Sequence, residues 1–160
     1  MMRPKSTSGF SIMELVISMI VVGTISAMAI PTLNSALIGL RLNATATAIS
    51  AALSNTRYRA LKDSQIYTVV FTTPGNTYVV KDVPTNTSDA AVPLPNTSAA
   101  LNGGGTATYT FTFCPNGTVY GAGGACPGVN AAPVLAATYS GQEIDITTSS
   151  TGNVTTTRIH

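Results

Sequence analysis

Side chains able to do chemistry are few in this sequence, and the most telling one stands alone. From Phe10 to Ile30 the only ionisable side chain is that of Glu14. A carboxylate in hydrocarbon costs about 2.5–3.5 kcal/mol on insertion scales, so it must find a partner or sit near an interface. Cutting the chain between Gly9 and Phe10 would supply a partner, because the new α-amino group of Phe10 would lie one helical turn from Glu14. The amine of a neighbouring copy would serve equally. The plainer alternative sets Glu14 in the headgroup layer.

Elsewhere the chemistry is sparse. His160, the only histidine, closes the chain as a solvated end rather than a general base. Glu143 and Asp145 alternate with Ile144 and Ile146, which reads as the polar face of a strand. Gly103 to Gly105 lack the lysine and helix of a phosphate-binding loop. Arg57, Arg59, Lys62 and Arg158 are cations that could meet phosphates, yet no aromatic platform accompanies them. No catalytic residue, metal site or cofactor is expected, and the chain is not expected to be an enzyme.

The elements that position these residues follow from pattern. Phe10 to Ile30, at about 1.5 Å per residue, spans the roughly 30 Å core of a bilayer. Arg3 and Lys5 precede it without acidic neighbours, which favours a cytoplasmic N-terminus and a head beyond the membrane. A signal peptide would need a small-residue cleavage site, and Ala27-Met28-Ala29 resembles one; Glu14 and the helical pattern beyond Pro31 argue against it. Pro31 removes a backbone donor and can kink the helix without ending it. Leu42, Ala46, Ile49, Leu53 and Ala60 then form an apolar stripe, while Asn43, Thr47, Ser50, Arg57 and Lys62 fall largely elsewhere. The helix is expected to end near Lys62 or Asp63.

The remainder reads as β. Ile66 to Thr72 and Thr77 to Lys81 flank turn residues Thr73 to Asn76, the pattern of a hairpin. Asp82 to Gly105, with three prolines and three consecutive glycines, reads as a long surface loop. Ala107 to Phe113 alternates apolar and polar residues, placing Tyr109, Phe111 and Phe113 on one face. Val134 to Tyr139, Glu143 to Thr147 and Val154 to Ile159 would complete one sheet. Its apolar face needs a cover, which the amphipathic half of the helix supplies. Cys114 and Cys126 lie in the head; beyond the cytoplasm such a pair is expected to form a disulfide, and the rival metal site lacks further ligands nearby.

Composition agrees with a chain that packs against others. Charged residues make up 9% of the sequence, against roughly 25% in average soluble proteins. Without Arg3 and Lys5 the eight basic side chains fall to six, matching six acidic ones. Broad electrostatic capture of nucleic acid is therefore not indicated.

Gly9-Phe10-Ser-Ile-Met-Glu14-Leu-Val-Ile resembles the processing motif of type IV prepilins, shared by pilins and the pseudopilins of type II secretion. The resemblance implies a leader, residues 1–9, removed after Gly9 by an inner-membrane prepilin peptidase that also N-methylates Phe10. It implies a transmembrane and filament-core helix over 10–30. A periplasmic head would follow over 31–160, with the amphipathic helix half at about 31–63 and the β region at about 66–160. Within that family the head is similar to the GspH/FimT branch. Arg57 and Ala60 match its helix-end pattern, Phe113, Pro115 and Gly117 its Phe-x-Pro-x-Gly signature, and Gly152-Asn-Val154 its terminal glycine turn. Arg59 and Asn153 depart from it, standing where relatives often have an acidic and a basic residue.

The expected fold is therefore α+β and pilin-like, a long N-terminal helix packed on an antiparallel β-sheet head. The expected function is that of a minor pilin or pseudopilin in a type IV pilus or type II secretion pseudopilus, assembled with other pilins through its N-terminal helix. Glu14 would set assembly register by meeting a neighbouring Phe10 amine. The alternatives are a DNA-binding minor pilin of natural transformation, using Arg57, Arg59, Lys62 and Arg158, or a major pilin.

Overall fold

The computed structural model describes residues 10–73, 75–96, 99–102, 107–123, 125–128 and 130–159. Among these residues one helix, α1 (Ile12–Asp63), precedes ten strands. It begins two residues after Phe10, where the N–H groups of Glu14 and Leu15 donate to the Ser11 carbonyl at 3.0 and 3.2 Å. It runs through position 31, so Pro31 does not end it. The chain divides after Leu37 into two units.

In the first unit the described side chains from Phe10 to Leu37 are exposed. In the second, the stripe expected from spacing is the buried face. Leu42, Ile49, Leu53 and Ala60 are fully buried and Ala46 nearly so, while Asn43, Thr47 and Lys62 are exposed. At roughly 1.5–3 kcal/mol for each large apolar side chain buried, this stripe is what holds the helix to the head.

The strands form two antiparallel sheets rather than the single sheet expected. The first contains β1 (Tyr67–Thr73), β2 (Thr77–Asp82), β3 (Thr87–Ser88), β4 (Val92–Pro93), β6 (Ala107–Phe113) and β7 (Val119–Tyr120). The second has the order β10 (Val154–Ile159), β9 (Gln142–Thr148), β8 (Leu135–Tyr139), β5 (Ala100–Leu101). The β1–β2 hairpin closes as expected, pairing Thr72 with Thr77 and Tyr67 with Asp82. In β6 the alternation buries Phe111 and Phe113 and leaves Tyr109 half-buried. Phe111 meets Phe71 of β1 edge to face, with ring centroids 5.9 Å apart.

A further expectation is corrected. The stretch from Asp82 onward is not one loop, because β3, β4 and β5 interrupt it and Leu94, Ala99 and Leu101 are buried anchors. Pro93 lies in one of these short strands, at a sheet edge, where a missing donor does little harm. The threonine face of β6 is partly covered: Thr112 is buried and its hydroxyl donates to the Gly121 carbonyl at 3.0 Å. The segment closed by the cysteines covers that end of the strand.

Candidate functional site

Two hydroxyls of the apolar segment are satisfied within the helix. Ser18 Oγ donates to the Glu14 carbonyl at 2.7 Å, and Thr24 Oγ1 to the Val21 carbonyl at 2.9 Å. Such back-bonding lets a hydroxyl enter hydrocarbon without an unpaired donor. The helix is long and apolar enough to cross a membrane. Glu14 occupies its first turn, where unpaired N–H groups and the helix dipole favour a carboxylate. That is a local reason for an acid at this position, independent of any partner amine. Phe10 is 76% exposed. Gly9, Arg3 and Lys5 lie outside the described residues, as does His160.

A second cluster gathers residues far apart in sequence. Arg57, on the last turns of α1, reaches over the turn after β6 and the turn between β9 and β10. Its Nη1 donates to Asn153 Oδ1 at 3.4 Å. A Cβ at Gly152 would lie 2.5 Å from the Gly117 carbonyl oxygen and 2.7 Å from Arg57 Nε. A Cβ at Gly117 would lie 3.3 Å from Leu61 Cδ2. The helix end, the Phe113-x-Pro115-x-Gly117 turn and the Gly152-Asn-Val154 turn therefore meet around one guanidinium. Its Nε is buried and has no acceptor among the described residues, and packing of its stem adds to the Asn153 hydrogen bond in holding it.

Cys114 and Cys126 are joined in a disulfide, with Cα atoms 5.7 Å apart. Ile66, Pro115, Asn116, Thr118 and Pro127 line a groove beside it. Among the described residues no group of three or more His, Cys, Asp or Glu is placed to hold a metal.

The four cations singled out from sequence do not form one patch. Arg59 forms an ion pair with Asp89 and stacks over the Tyr67 ring, 4.9 Å from its centroid. The hydrogen bond with Asp89 holds the Arg59 guanidinium above its ordinary value. Burial pushes the Tyr67 phenol up, and its hydrogen bond to Asp63 Oδ2 at 3.0 Å adds to this. Arg158 is spent differently, donating to Gln142 Oε1 at 2.7 Å. Lys62 is exposed. Asp89 and Tyr67 had no signal in the sequence, because Arg59 reaches Asp89 across thirty positions. Glu143 and Asp145 are half-exposed on β9, as a polar strand face requires.

The elements of the chain are compatible with a pilin: a long apolar N-terminal helix, an antiparallel β head and a disulfide. No family model matches the sequence, and neither a curated protein nor a solved structure matches it well enough to establish a relationship.

Proposed function

We propose that this protein is a minor pilin or pseudopilin, a membrane-anchored subunit of a type IV pilus or type II secretion pseudopilus, of the GspH/FimT type. The observation that carries the reading is the division of labour along α1. One stretch is apolar and exposed throughout, and the next buries a regular stripe on a β head. An exposed apolar helix needs lipid or other helices around it. In this reading it rests in the inner membrane with the head in the periplasm, and in the filament it packs against helices of other pilins. Prepilin peptidase cuts after Gly9 and methylates Phe10, whose amine then answers Glu14 in the same or a neighbouring subunit.

The residues of the GspH/FimT resemblance support the finer assignment by their spatial convergence. Arg57, Gly117, Gly152 and Asn153 meet at one junction although they come from three segments. The experiment is mass spectrometry of the native protein. A mature N-terminus at methylated Phe10 is expected; a working form that retains Met1 to Gly9 would overturn the reading.

A DNA-receptor role draws less support, since Arg59 and Arg158 are already engaged by Asp89 and Gln142. A salt-dependent shift of DNA by the purified protein would favour it.

A further inference from the structure

Among the described residues, strand β10 is paired on one side only. It pairs with β9 from Val154 to Ile159 and ends the second sheet. Ser149 N–H donates to the Asn153 carbonyl at 2.9 Å, which fixes the alternation of the ladder. Thr155, Thr157 and Ile159 then exchange bonds with β9, and Val154, Thr156 and Arg158 turn their main-chain groups outward. Residues 155–159 are exposed.

This edge is only lightly protected: its one charged side chain is Arg158, whose guanidinium is engaged by Gln142 of β9. Natural sheets blunt their edges with prolines, lysines, bulges or very short strands. Here Val-Thr-Thr-Thr-Arg-Ile is β-branched at every position but one and contains no proline. The other edge strands among the described residues, β3, β4, β5 and β7, are two residues long.

The neighbouring strand adds a charge. Glu143 and Asp145 of β9 lie opposite Ile159 and Thr157 of β10, and opposite Thr138 and Ala136 of β8. No cation stands at any of these positions, and the ion pair among the described residues is Arg59 with Asp89. Arg158 falls on the other face by alternation, opposite buried Ile144. A strand added beyond β10 would lie two strand spacings, roughly 10 Å, from β9, which a Lys or Arg side chain can bridge to a carboxylate.

We propose that β10 is a docking edge that accepts an extended segment of another protein as a fifth strand of this sheet, with Lys or Arg at alternate positions on the face shared with Glu143 and Asp145. Main-chain bonds would supply the pairing, and the two acids would select the partner and its register. A second copy of this chain is a poorer occupant. Antiparallel self-pairing of β10 sets threonines and an isoleucine against one another on that face and brings no cation to either acid. The inference stands apart from the pilin reading and does not need it.

The test uses the full-length protein in detergent micelles and three labelled, end-blocked peptides: alternating Lys-Val, alternating Glu-Val, and a block peptide of the first composition. Fluorescence anisotropy should show the alternating Lys peptide binding about ten-fold more tightly than the other two. Thr156→Pro removes an outward N–H without taking a donor from the β9 ladder, and should abolish binding. The pair Glu143→Gln and Asp145→Asn, which leaves the edge intact, should weaken the Lys peptide by about three-fold or more, the scale of exposed ion pairs. The proposal fails if the Lys peptide does not bind, or if the block peptide or Thr156→Pro protein binds equally well. Efficient cross-linking of Thr156→Cys to itself between copies would instead seat a second copy there, and would also overturn it.

Discussion

Gly152 and Arg57 are in contact only because Gly152 has no side chain: a Cβ there would lie 2.7 Å from Arg57 Nε and 2.9 Å from Arg57 Cδ. Gly152 also has φ +79°, a conformation that costs an L-residue about 1–2 kcal/mol. Both penalties fall on one substitution. Gly152→Ala should therefore destabilise the head by about 2–5 kcal/mol, the strain of the turn plus that of overpacking. Gly141→Ala is the control, since Gly141 has φ +81° but open space where its Cβ would be. It should lose only the backbone share. Urea midpoints of the two variants separate the contributions.

The helix stripe makes a sharper division. Leu53 is fully buried, whereas Thr47 on the same helix is exposed. Leu53→Ala should cost about 2–5 kcal/mol, and Thr47→Ala should stay within about 0.5 kcal/mol. Thermal unfolding monitored by circular dichroism would measure both.

These residues also mark how far the fold is legible in the sequence. Leu42, Ile49 and Leu53 recur at helical spacing because a helix can bury only one face, and a period of this kind is a local property of the chain. The β1–β2 hairpin and the alternation of β6 are local in the same way. The division into two sheets was not legible, because pairing β6 with β1 and β5 with β8 depends on partners far along the chain. Nor was the junction around Arg57 legible by pattern. Three short segments meet there, and each alone looks like a turn or a helix end. The resemblance to GspH/FimT proteins marked these residues without saying that they touch.

The disulfide closes a loop of twelve positions between Cys114 and Cys126. Removing such a cross-link releases chain entropy to the unfolded state, worth about 3 kcal/mol for a loop of this size. The double variant Cys114→Ser, Cys126→Ser should lose about that much in urea titration. Reductant should lower the wild-type midpoint and leave the variant's unchanged.

Tyr67 links stability to alkaline pH. Its folded value is raised, first by burial and then by the Asp63 hydrogen bond. The folded protein therefore holds this proton more tightly than the unfolded chain does. The stability it contributes is fully present below the unfolded value of about 10 and is lost as pH rises through the folded value. Unfolding midpoints should fall above about pH 10, and Tyr67→Phe should flatten that fall. A titration of stability from about pH 8 to 11 on both proteins decides it.

If the chain is a pilin, as proposed, Glu14 separates insertion from assembly. Alone in the apolar stretch, it does not help the helix enter hydrocarbon, where a carboxylate costs about 2.5–3.5 kcal/mol. Glu14→Ala should therefore leave membrane insertion intact or improve it. Among packed helices the balance reverses, because a carboxylate that meets a neighbouring amine fixes register, and one that meets nothing opposes packing. The same variant should be strongly depleted from sheared filaments while its membrane level holds, and Glu14→Asp should recover part of the loss. Normal incorporation of Glu14→Ala would show that register is set elsewhere along α1, with Glu14 serving only its place in the helix's first turn.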